Sequence, residues 1–183
     1  KNEENHFPYL QSSYNTLGMT ASKLQSYGQA IDFYTNALNY AKGSSYYFTI
    51  QNNIGNAYSE LKDYPKSLKI FNKILSEQPY NAKEYAMALT NMTKAKWLQN
   101  TSYNASPALL KAMRIRKKID DNWGLNSSYT HLADYYSQKK IDSALFYANK
   151  RYQIAQVLNS PDDQLEALRK LIALAPEENG RRY

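Results

Sequence analysis

Apolar and polar residues alternate along this chain with helical rather than strand period. The clearest stretch is Phe48–Pro79, where Ile54, Tyr58, Leu61, Leu68, Phe71, Ile74 and Leu75 recur at three- and four-residue spacings. Lys62-Asp63-Tyr64-Pro65 interrupts the pattern, so one helix runs up and a second runs back. Gly55 and Ser67 sit where two backbones must approach closely, and the large side chains fill the gaps beside them. The same layout returns along the rest of the chain. Tyr14, Leu17, Gly18 and Ala21, then Ala30, Tyr34 and Ala37, fall on corresponding positions one step earlier. Ser26-Tyr27-Gly28-Gln29 forms the turn, and Gly43-Ser44-Ser45 links to the next pair.

A weaker copy follows, with Met92-Thr93 in place of Ile54-Gly55 and a longer link over residues 99–106. Its return helix opens at Pro107 and turns Ala108, Leu109, Ala112, Ile115 and Ile119 inward. Tyr129, Leu132, Ala133 and Tyr136, then Ala144, Leu145, Ala148 and Tyr152, make a further copy, with its turn at Lys139-Lys140-Ile141-Asp142. Ser160 is expected to cap a last helix over 161–175 that carries Leu165, Leu168, Leu171, Ile172 and Ala175 on one face. The chain is expected to stop before that helix gains a partner.

The spacing and residue types resemble the tetratricopeptide repeat, a helix–turn–helix unit of roughly 34 residues. The family pattern falls on Ile54, Gly55, Tyr58, Ser67, Phe71, Ile74 and Pro79, with Gln51 at the position usually held by Trp. Gly18, Gly55, Thr93 and Ala133 mark successive copies. The resemblance implies an all-α fold, a right-handed α-solenoid of antiparallel helix pairs. One domain over 1–183 is expected, with repeats near 5–42, 44–79, 81–119 and 122–159 and a partial fifth over 161–183. The repeat spacing and the phrase Arg114–Tyr136 are similar in style to the sensor regions of membrane-anchored regulators from Bacteroidetes-type bacteria. That likeness implies a periplasmic location, with a cytoplasmic adaptor as the alternative. It also implies a longer, membrane-anchored parent protein, from which a chain opening at Lys1 is expected to be excised.

Composition narrows the function. With 43% hydrophobic residues, 183 residues can bury a sizeable core, and only 6 Gly and 6 Pro argue against a turn-rich β protein. The absence of Cys excludes disulfides, zinc-finger sites and thiol catalysis. No apolar run is long enough to span a membrane, so no insertion by this segment is expected. The net charge of +7 is uneven, with eight basic and seven acidic residues up to position 93 but fifteen and nine beyond it. A basic-surface nucleic-acid or anionic-ligand binder is therefore the alternative function. The cluster Lys111–Lys118 reads instead as a solvated face near a helix C-terminus, where the dipole favours cations, and no nucleic-acid partner is expected.

The family's concave groove is lined by the first helix of each pair and takes peptides or partner helices. On that register the groove residues include Asn15, Thr16, Met19, Ser22 and Lys23, then Thr49, Asn52, Asn53, Asn56 and Glu60. Thr90, Asn91, Lys94 and Trp97 follow, then Thr130, His131, Asp134 and Gln138. Side-chain amides both donate and accept, so Asn52, Asn53, Asn56 and Asn91 could hold a peptide backbone whatever its sequence. Asn56 and Asn91 match the two Asn positions of the family's carboxylate clamps. Asn52, Ser127 and His131 stand where those clamps have Lys or Arg, so the clamp is not intact. Trp97 is a candidate anchor and Lys94 a candidate contact for an anionic group. His131 reads as a polar groove residue, and with His6 remote there is no metal site. No catalytic constellation, cofactor or metal site is expected. The expected partner is a protein or peptide, bound by a sensory or scaffolding region of a larger bacterial signalling protein.

Overall fold

The computed structural model describes residues 7–79 and 82–175. These residues form an all-α, solenoid-type succession of helix pairs: α1 (Phe7–Lys23), α2 (Tyr27–Asn39), α3 (Tyr47–Glu60), α4 (Tyr64–Glu77), α5 (Lys83–Gln99), α6 (Ser106–Lys118), α7 (Asn122–Tyr136), α8 (Ile141–Val157) and α9 (Pro161–Leu174). The chain divides into two compact units, residues 1–103 and 104–183. The two helices expected to form the third pair, α5 and α6, thus belong to different units.

In the first unit each helix packs on the one before it, and first helices also meet, α1 with α3 and α3 with α5. The small-residue positions explain how. A methyl group added to Gly55 would lie 2.6 Å from a ring carbon of Phe71, and one on Gly18 would lie 2.5 Å from the ring of Tyr34. Phe71 is wholly buried and Tyr34 nearly so, so each aromatic ring fills the space its glycine leaves. Ala21, Ala30, Ala37, Ala41, Ile50 and Ile54 complete the core around Tyr34. In the third copy Thr93 is wholly buried, and its hydroxyl donates to the Leu89 carbonyl at 2.6 Å.

Local signals place the helix starts. Asp63 accepts from the Lys66 amide at 3.2 Å, with Pro65 in the first turn of α4. Asp121 accepts from the Gly124 amide at 3.1 Å at the start of α7, where any side chain on Gly124 would strike the Asp121 carboxylate. At α9 the Ser160 hydroxyl accepts no backbone hydrogen bond; it donates to the Asp163 carboxylate at 2.7 Å. Ile141 and Asp142 lie inside α8 rather than in the turn before it. After α1, α3, α6 and α8 the chain turns through Gln25, Lys62, Asp120 and Asn159, all at positive φ between 49° and 61°.

In the second unit α6, α7, α8 and α9 pack in sequence order around Ala133, Ala144, Ala148 and Leu174. The expected inward face of α9 is corrected here. Leu165, Leu168 and Ile172 are 49%, 40% and 74% exposed and Ala175 is exposed too; Leu171 packs inward as expected, joined by Ala167 and Leu174. Packed chiefly on α8, this helix buries only a narrow stripe, and the leucines lie off it. Ile119 is likewise exposed, just past the end of α6.

Candidate peptide-binding groove

The first helices of the first unit, α1, α3 and α5, bring the expected asparagines together, though not all at the surface. Asn52 is wholly buried, which corrects its assignment to the groove. Its Nδ2 donates to the Phe48 carbonyl at 3.3 Å, and its Oδ1 accepts from Asn91 Nδ2 at 3.3 Å. Asn53 Nδ2 donates in the same sense to Asn15 Oδ1 at 3.2 Å. Both bonds join one helix position to the next position in the following repeat, so they are two rungs of one ladder. A buried amide without such partners would cost roughly 1–3 kcal/mol, so the rungs fix how successive first helices sit against each other. Thr90 is also buried rather than groove-facing, its hydroxyl donating to the Ala86 carbonyl at 2.9 Å.

Asn56 differs from its neighbours. It is half-buried on α3, and among the described residues its carboxamide has no partner. It lines a cleft of about 320 Å³ with Ser22, Lys23, Tyr27, Ala57 and Glu60. Glu60 pairs with Lys94 at 2.9 Å, both side chains more than a third exposed. Such a pair contributes roughly 0–1 kcal/mol and can open to a ligand. Trp97 is half-buried further along α5. His131 is half-buried on α7 and so belongs to the second unit.

Two arginines in the second unit lie where the sequence reading placed solvent or nothing. Arg116, read as part of a solvated cluster, is 3% exposed, and its Nη1 donates to Ser128 Oγ at 2.7 Å. Burial lowers its pKa to about 10, partly opposed by Asp121. Arg151 is 8% exposed; its Nη2 donates to Glu166 at 2.6 Å and Asp163 at 3.4 Å. Each interrupts an apolar row, Leu109-Ala112-Arg116 and Ala144-Ala148-Arg151-Ala155, and that interruption is a signal the sequence carried. Arg151 lines a cleft of about 440 Å³ formed by α7, α8 and α9, across which Lys170 meets Asp134 at 2.7 Å. Among the described residues no cluster of His, Cys, Asp or Glu could hold a metal, and no helix is long and apolar enough to cross a membrane.

The tetratricopeptide repeat family model matches residues 9–76, which span the first two helix pairs and their glycine–aromatic contacts. Residues 9–76 belong to the tetratricopeptide repeats. Among curated proteins no sequence matches significantly. Solved structures extend the likeness along the chain. BtubC (BKLC) from P. vanneervenii superposes with a TM-score of 0.67 at 18% identity, over 94% of this chain and 74% of that one. A putative kinesin light chain from Podosopora anserina with nearly identical TPR-like repeats gives 0.58 at 11% identity, over 94% and 97%. At these identities the likeness is one of fold. Tetratricopeptide repeats in general are scaffolds for protein–protein interaction.

Proposed function

We propose that the chain is a non-enzymatic peptide- or protein-binding module whose tetratricopeptide first-helix face in the first unit receives the partner. The observation that carries this reading is Asn56. Three neighbouring asparagines are spent on bonds within the protein, while its carboxamide stands unpartnered in a cleft beside Ser22, Lys23 and Glu60. A backbone amide needs one donor and one acceptor, and a carboxamide supplies both. A role as the sensory or scaffolding region of a larger bacterial signalling protein, on the periplasmic side of a membrane, belongs to the same proposal. It rests on the likeness in style of Arg114–Tyr136. A peptide selected from a displayed library against the protein provides the test. Its Kd should rise about tenfold for Asn56→Ala, on the order of one charge-free buried hydrogen-bonding pair. An unchanged Kd removes the first-unit face from the reading.

A further inference from the structure

The outward face of α9 is apolar from end to end. Pro161, Leu165, Leu168 and Ile172 are all exposed, on the side of the helix away from the buried Ala167 and Leu174. Their spacing alternates four and three residues, which is the narrow seam of a two-stranded coiled coil rather than the broader face that a helix buries in a globular core.

Two opposite charges flank this seam on one side. Asp162 follows Pro161 and Arg169 follows Leu168, so the two stand on the same edge of the seam, two helical turns apart. Both are exposed. On the other edge Gln164 and Leu171 carry no charge. Along α9 all three carboxylates, Asp162, Asp163 and Glu166, come before both cations, Arg169 and Lys170, so the helix is acidic at its start and basic toward its end.

Such a helix is complementary to itself when one copy is reversed. With a twofold axis midway between Leu165 and Leu168, Leu165 of one copy meets Leu168 of the other and Pro161 meets Ile172, each contact being made twice. The same register brings Asp162 of each copy to Arg169 of the other beside the seam. A parallel pair would set Asp162 and Arg169 against Gln164 and Leu171, where no charge answers them.

We propose that the outward face of α9 is a self-association surface, through which two copies of this chain form an antiparallel, twofold dimer with Leu165, Leu168 and Ile172 in the seam and reciprocal Asp162–Arg169 pairs fixing its direction. The inference is independent of the first-unit face. It adds that an assembly carries two such faces, so a partner with two binding segments is held more tightly than a partner with one.

The test is sedimentation velocity on the whole chain at low salt. The seam is short beside ordinary specific interfaces of about 1,200–2,000 Å², so the dimer should have a Kd on the order of 10–100 µM, within reach of samples up to about 500 µM. Asp162→Arg or Arg169→Asp turns both reciprocal attractions into repulsions, and either should raise Kd about tenfold or more. Mixed in equal amounts, the two variants should associate again, because each then meets its opposite, and both changes in one chain should restore the homodimer. Ile172→Glu should abolish the dimer. All three side chains are exposed, and circular dichroism checks that each variant keeps its helices. A chain that stays monomeric across this range leaves the face to another protein or to another segment of this chain, and overturns the inference. A dimer indifferent to both charge reversals, or reversed variants that do not associate when mixed, overturns it equally.

Discussion

Gly55→Ala is the most direct probe of how the pairs are held together. Alanine is the better helix former by about 1 kcal/mol, so on propensity alone the change should stabilise α3. The new methyl carbon, however, would stand 2.6 and 2.8 Å from two ring carbons of Phe71. That ring is wholly buried and cannot swing into solvent, so the pair must separate or the ring must leave its rotamer. Overpacking of this kind costs about 1–3 kcal/mol, which leaves a net loss of about 1–2 kcal/mol at the upper part of the range. In a cooperative body of 60–100 residues each kcal/mol lowers Tm by about 4–8 °C, measurable by circular dichroism or calorimetry. Gly28→Ala is the control. Gly28 lies exposed in the first turn of α2 with nothing near its missing side chain, so there alanine should raise Tm. Pairing Gly55→Ala with Phe71→Leu should recover about 1 kcal/mol relative to the sum of the two single changes, since the smaller side chain gives the methyl room. Strict additivity, or a Gly55→Ala protein as stable as the parent, would refute the account of the pair.

Two further outcomes can be checked on the same material. Asn52→Ala should cost about 2 kcal/mol in chemical denaturation, because it strips the Asn91 amide of its acceptor inside the protein, whereas Asn56→Ala should stay within about 0.5 kcal/mol. Burial pushes the phenols of Tyr34, Tyr129 and Tyr147 above their usual value of about 10. The folded chain then keeps protons that the unfolded chain releases, so their stabilising contribution is complete below about pH 10 and falls as pH rises beyond it. Tyr147→Phe should flatten that alkaline decline in denaturation midpoints measured across the range, and an unchanged slope would count against it.

The helix pairs were legible because their cause is local. Gly18 with Tyr34 and Gly55 with Phe71 are joined by one turn of chain, and the small–large pattern alone states which residues meet. The orientation of polar residues was less so. Projecting Asn52 and Thr90 onto a single helix turns them outward, and only the arrival of the neighbouring first helices covers them. Asn52 and Asn91 are separated by a whole repeat, so their bond depends on how two pairs stack, which no periodicity within one helix encodes. The arginines escaped for a different reason. A charged residue on an apolar row reads as a break in the row, but Arg116 keeps its place by reaching Ser128, and Arg151 by reaching across to α9. On α9 the reverse holds, since four leucines and an isoleucine exceed what contact with one neighbour can cover, and composition does not say which stay outside.

The amide ladder bears on how such a chain can change over generations. Asn53 reaches back to Asn15 and Asn91 to Asn52, always from one repeat to the copy before it and always in the same donor-to-acceptor sense. Only the second copy carries both ladder positions, Asn52 and Asn53, so duplicating or excising that copy as a whole would leave every surviving asparagine facing a suitable mate. Inserting a single residue within α3 would rotate Asn52 or Asn53 about a third of a turn and strand a buried amide. The lineage is therefore free to vary in length by whole copies of that middle kind, while the helices themselves resist any slip in count.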